Sequence, residues 1–94
     1  MIHTLAAVDP SVRVPAGVRI GAFAVVEAGA VLAEGCVIGE HAVVRTGCEL
    51  GPGVLVDSFA VVGGQAQMRG DVPAGGRVFV GARTVLREGV TVNR

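Results

Sequence analysis

VRVPAGVRIGAFAVVEAGAVLAEGCVIGEHAVVRTGCELGPGVLVDSFAVV, residues 12–62, keeps a beat of six. Counted from Ile2, every sixth residue is aliphatic: Ile2, Val8, Val14, Ile20, Val26, Leu32, Ile38, Val44, Leu50, Val56 and Val62. The beat touches Met68 and Ala74, then resumes in phase at Val80, Leu86 and Val92. A second register lies four residues after each of these positions. From Ala6 and Val12 through Cys36 and Cys48 to Val90, it holds only small or β-branched residues.

A period of six suits neither a helix nor a half-buried flat strand, which want 3.6 and 2 residues. Repetition at this length indicates a parallel β-helix built of hexapeptides. Charge gives an independent test. Random placement would put a third of the eight acidic and eight basic side chains, roughly five, in the two inward registers. None falls there: Asp9, Arg19, Glu27, Glu40, Arg45, Glu49, Asp57 and the rest occupy the other four. A continuous buried column imposes this pattern, because burying an unpaired charge is costly.

Outward from this core the chain reads as one domain over 1–94, all-β, with about five triangular coils and a loop at 64–77. Ninety-four residues allow a single domain, and stacked coils bury their inward faces against one another. Glycines recur directly after the aliphatic (Gly21, Gly39, Gly51, Gly63) and three after it (Gly17, Gly29, Gly35, Gly47, Gly53). Both sets read as corners that need φ > 0. The segment Gly63–Phe79 is irregular, with Pro73 and paired glycines. The register is kept across it, since Val62 to Val80 is eighteen residues. Departures from a repeat are where binding concentrates.

The composition narrows the function. Zero net charge and eight scattered arginines leave no basic stripe, and three phenylalanines offer little base stacking, so no nucleic acid is expected. Glycines and charges interrupt every apolar run, so no membrane span is expected. Met1-Ile2-His3-Thr4 lacks the n-region and h-region of a signal peptide, which points to the cytoplasm. In that compartment Cys36 and Cys48, both in the small inward register, read as buried thiols. His3 and His41 lie about two coils apart, on the order of 10 Å, too far for one metal or a mutual pair. His41 reads as a surface or turn histidine. No catalytic residue, metal site or cofactor is assigned.

Ile2-His3, Val8-Asp9-Pro10, Val18–Val26 and Val37–Val44 resemble the opening coils of the hexapeptide acyltransferases. Val80–Arg94, with Arg87-Glu88-Gly89-Val90-Thr91-Val92-Asn93-Arg94, is similar to a more specific segment of the acyl-carrier-protein–UDP-N-acetylglucosamine O-acyltransferases of lipid A biosynthesis. The resemblance implies a left-handed helix, a homotrimer, and acyl carrier protein and UDP-N-acetylglucosamine as partners. It implies transfer of a 3-hydroxyacyl chain to the sugar 3-hydroxyl, driven by a histidine base. That histidine falls beyond Arg94, so these residues alone would be inactive and would lack the C-terminal part of the family. The family's Gln-Asp substrate contact corresponds to Gln67-Met68, with Arg69 adjoining. The Gln is present and the Asp is not, and Asp71 is three residues off the motif. A non-catalytic scaffold that self-associates is the alternative. Arg69-Gly70-Asp71 also resembles the γ-class carbonic anhydrases, but the histidines that class needs after it are missing.

Overall fold

The computed structural model describes residues 1–64, 78–87 and 91–93. Among these residues there are only strands, in chain order β1 (Ala7–Val8), β2 (Arg19–Ile20), β3 (Val25–Val26), β4 (Val31–Leu32), β5 (Val37–Ile38), β6 (Val43–Val44), β7 (Cys48–Leu50), β8 (Leu55–Val56), β9 (Val61–Gly64), β10 (Val78–Val80), β11 (Val85–Leu86) and β12 (Thr91–Asn93). They assemble into three parallel ladders. Face A runs β2-β5-β8-β11, face B runs β1-β3-β6-β9-β12, and face C runs β4-β7-β10. From β2 onward, successive strands in the chain go to successive faces, so the chain winds as a parallel β-solenoid.

Eighteen residues make one coil up to β9. Arg19 pairs with Val37, Val25 with Val43 and Val31 with Glu49. The inward registers are buried as their chemistry requires. Ile20, Val26, Ile38, Val44, Val56 and Val62 are at most 2% exposed, and Ala24, Cys36, Ala42, Cys48, Val54 and Ala60 are fully buried. No polar or charged side chain is buried among the described residues. Cys36 and Cys48 form no disulfide, and the Cys36 thiol donates to the Gly51 carbonyl at 3.2 Å. The column is looser at its ends. Ile2 is 43% exposed, and Val8, Val14 and Leu86 pack against the core only partly buried.

The eighteen-residue step from Val62 to Val80 needs correction. Phase is kept, since both are buried and inward, but the two lie on different faces. Val80 pairs with Leu50, Val85 with Leu55 and Thr91 with Val61, each thirty residues apart. The coil that passes through 65–77 is therefore longer by twelve residues, two hexapeptides. An insertion of two whole hexapeptides preserves the inward phase while changing the face, which is why the beat alone could not reveal it.

The two glycine sets also separate. Three residues after the aliphatic, φ is positive, as at Gly35 (73°) and Gly53 (68°). Such corners are closed by a turn bond, for example Ala30 N–H to the Glu27 carbonyl at 3.2 Å around Gly29, and this turn geometry wants φ > 0 at its third residue. Directly after the aliphatic, Gly21, Gly39 and Gly51 do not have positive φ. There the next coil comes too close. A Cβ on Gly39 would stand 2.8 Å from the Ser58 nitrogen, and one on Gly51 would stand 2.9 Å from the Ala82 nitrogen. Gly63 alone of this set has a positive φ, 84°.

Candidate functional site

Gln67, Met68 and Arg69, with the loop at 64–77 beyond Gly64, lie outside the described residues. So do Glu88–Val90 and Arg94 of the C-terminal segment. The frame that carries them is described. The chain leaves face B at β9 and re-enters on face C at β10, so 65–77 connect these two faces. At the point of departure Gly63 is in the left-handed region, where a Cβ would stand 3.0 Å from the Cys48 Cβ. At the point of return Phe79 pairs with Glu49 and is 70% exposed. The insertion is thus fastened to the core by Val62 and Val80, both buried.

The corner between faces A and B holds a second feature, which the reading of the sequence missed. Phe23, His41 and Phe59 occupy its third position with φ of 62°, 61° and 64°. In the corner between faces C and A, the first three coils put Gly17, Gly35 and Gly53 there instead. The rings stack along the solenoid. Phe23 and His41 have centroids 5.0 Å apart and an interplanar angle of 19°, and His41 and Phe59 have 5.0 Å and 5°. Leu5 holds the same position one coil earlier, and its carbonyl accepts from the Phe23 N–H at 3.2 Å. The four form an exposed ridge: Leu5 is 57% exposed, Phe23 54% and Phe59 58%. The signal was present as an eighteen-residue recurrence of bulky residues at a position the neighbouring corner gives to glycine.

Energies weigh this ridge. A non-glycine residue in the left-handed region costs about 1–2 kcal/mol. An aromatic pair contributes about 0.5–1.5 kcal/mol beyond its burial. Three strained residues against two stacked pairs roughly cancel or lose, so the stack adds little to the fold.

Elsewhere the polar groups are local. Between faces B and C, Glu27 accepts from the Thr46 N–H at 3.0 Å and meets Arg45 at 3.4 Å. Asp9 accepts from the Ser11 hydroxyl and amide at 2.6 and 2.9 Å, which holds its carboxyl below the usual carboxylate range. The His3 Nδ1 accepts from the Leu5 N–H at 3.0 Å. A groove of about 560 Å³ runs over face A, lined by Met1, His3, Arg19, Val37 and Glu40 among others. Among the described residues no three His, Cys, Asp or Glu side chains converge as metal ligands, and no helix is long and apolar enough to cross a membrane.

Short parallel strands, eighteen-residue coils and left-handed corners define a hexapeptide-repeat β-solenoid. Residues 11–46 match the family described as bacterial transferase hexapeptide (six repeats). The matched stretch covers β2 to β6 and supports the hexapeptide-repeat acyltransferase superfamily. A search of curated proteins finds no match to this chain.

Proposed function

We propose that the chain forms the N-terminal solenoid of a UDP-N-acetylglucosamine O-acyltransferase, left-handed, homotrimeric and cytoplasmic, with the 64–77 loop helping to hold the nucleotide sugar. The observation that carries this reading is the twelve-residue excess between β9 and β10. A regular repeat of the transferase type runs up to it, and the register resumes intact after it. An insertion fastened at both ends to a rigid core is suited to ligand binding. In this reading Gln67 contacts the sugar nucleotide beside Met68 and Arg69, and the acyl group arrives on acyl carrier protein. The reaction needs a base within hydrogen-bond reach of the sugar 3-hydroxyl. Neither described histidine suits that role, since His3 turns its Nδ1 to the Leu5 amide and His41 is sandwiched between two phenyl rings. The base therefore comes from outside these residues.

Titration calorimetry with UDP-N-acetylglucosamine tests the loop assignment. Met68→Asp supplies a carboxylate acceptor where the family's contact has one, and a charged hydrogen bond of that kind should tighten binding about tenfold. An unchanged dissociation constant sinks the assignment. The exposed aromatic ridge favours a second reading, a scaffold that self-associates without catalysis. It predicts no sugar binding in either variant.

A further inference from the structure

We infer that the open edge of β4 on face C docks an extended, acidic peptide segment of a partner protein, which adds there as one more strand. The inference rests on the first coil and stands apart from the acyltransferase reading.

The first coil is incomplete on one face only. On face A Ile2 bridges to Ile20, and on face B Ala7 and Val8 pair with Val25 and Val26. The same eighteen-residue step would set Arg13 and Val14 beside Val31 and Leu32, but face C begins at β4. Asp9 N–H donates to the Val26 carbonyl before the gap, and Gly35 N–H to the Ala16 carbonyl after it. No backbone hydrogen bond joins 10–15 to 28–34. The sequence explains why. Ser11 stands where the next two coils have Gly29 and Gly47, with φ of 83° and 87°, and Ser11 does not adopt a positive φ. Asp9 instead accepts from the amide and the hydroxyl of Ser11, so this corner turns differently. Further on, Pro15 takes the place of Ala33, whose N–H donates to the Leu50 carbonyl at 3.1 Å. Proline has no such donor.

What remains is a row of main-chain groups without partners. On the paired faces Ile20 N–H donates to the Met1 carbonyl and Ala7 N–H to the Ala24 carbonyl. The same pattern on face C leaves the Leu32 N–H and the Ala30 and Leu32 carbonyls unmatched. Leu32 is only 5% exposed, and buried main-chain groups are nearly always satisfied. They border a groove of about 460 Å³, with Ser11, Arg13 and Pro15 on one side and residues 29–32 on the other. That volume is within the range of clefts that seat ligands. An open strand edge recruits an extended chain through main-chain bonds, and side chains then choose the sequence. Here charge makes the choice. Arg13 is the charged side chain of the groove, and no acid lies within ion-pair distance of it among the described residues. Val31, 47% exposed, adds an apolar contact beside it. A strand that brings a carboxylate to Arg13 and apolar atoms to Val31 fits both.

Heteronuclear NMR of the 94-residue chain, titrated with the peptide acetyl-Thr-Val-Glu-Val-Thr-amide, tests this. Amide shifts should cluster in 11–14 and 29–33, with Leu32 the largest. Hydrogen exchange at the Leu32 amide should slow about tenfold at saturation, as it gains an acceptor. Replacing the peptide's glutamate by lysine should weaken binding about tenfold, the effect of losing one charged hydrogen bond. Arg13→Glu, at an exposed position, should reverse the preference between the two peptides. No response at millimolar peptide overturns the inference and leaves the edge to water. Shifts centred elsewhere on the solenoid overturn it too, and so does equal binding of the two peptides. Shifts of the same residues that follow the chain's own concentration, with no peptide added, assign the edge to a second copy and overturn the peptide partner.

Discussion

The corner carrying Gly17, Gly35 and Gly53 and the corner carrying Phe23, His41 and Phe59 turn the chain with nearly the same backbone. Their φ values run from 68° to 77° in the first and from 61° to 64° in the second. Only the side chains differ. In the first three coils of the first corner the choice follows from the backbone, because glycine reaches this region without a Cβ penalty; the fourth coil puts Arg83 there, with φ of 58°. In the second the backbone is the same and the residues resist it, so the explanation must lie outside the turn. A corner that obeys its local rule reports on folding, and one that breaks the rule without a compensating gain reports on something the folded chain does.

Both corners hang from one inward column, and removing that column should abolish the distinction between them. Val44 is fully buried and its partners on face B are Val26 and Val62. Val44→Asp would place a carboxylate among aliphatic side chains with no hydrogen-bond partner, costing on the order of 4–5 kcal/mol or more. That is comparable to the whole stability of a small domain. The expected result is loss of the β circular dichroism spectrum and of any cooperative melt. A native melting curve would sink the assignment of Val44 to the core.

A smaller break separates the two reasons for glycine. Gly39 sits in the aromatic corner without a positive φ, and its missing Cβ makes room for the Ser58 nitrogen and the Val56 carbonyl oxygen, at 2.8 and 3.1 Å from where that Cβ would be. Gly39→Ala should force the third and fourth coils apart and cost about 1–3 kcal/mol, as overpacking does. Thermal melts resolve this. An alanine variant as stable as the native chain would show that the coil spacing relaxes freely.

The fold was legible because hydrophobic phase is a property of single residues. Ile20, Val26, Ile38 and Val44 announce the column one at a time, and sixteen charges avoid it together. The twelve-residue insertion was not legible as such. Pairing depends on which face a residue reaches, and Val80 has the same phase whether it stacks on Val62 or on Leu50. Gly21 and Gly39 were assigned a conformational role because sequence cannot distinguish a glycine that needs φ > 0 from one that yields space to a neighbouring coil. His41 was read correctly as a turn residue. Its partners went unseen because Phe23 and Phe59 are eighteen residues to either side, beyond the reach of local patterns. The assigned loop residues, Gln67, Met68 and Arg69, rest on the resemblance of the sequence alone.

The finest test exchanges the two corners. Gly35→Ala places a Cβ on a residue with φ of 73° where the nearest atoms, on Gly53, are 3.8 Å away. Space is available, so the cost is conformational, about 1–2 kcal/mol. Phe59→Gly does the reverse. It relieves strain of that size, loses one stacked partner worth about 0.5–1.5 kcal/mol, and frees the unfolded chain by up to about 1 kcal/mol. The sum is small, so the melting temperature should barely move at a protein concentration low enough to keep the chain monomeric. Denaturant unfolding of the two variants side by side decides between the explanations. If Gly35→Ala destabilises while Phe59→Gly does not, the ring at 59 is dispensable to the coil and its retention needs a partner. If Phe59→Gly costs as much as Gly35→Ala, the ladder is holding the coils together, and the aromatic corner is a device of the fold.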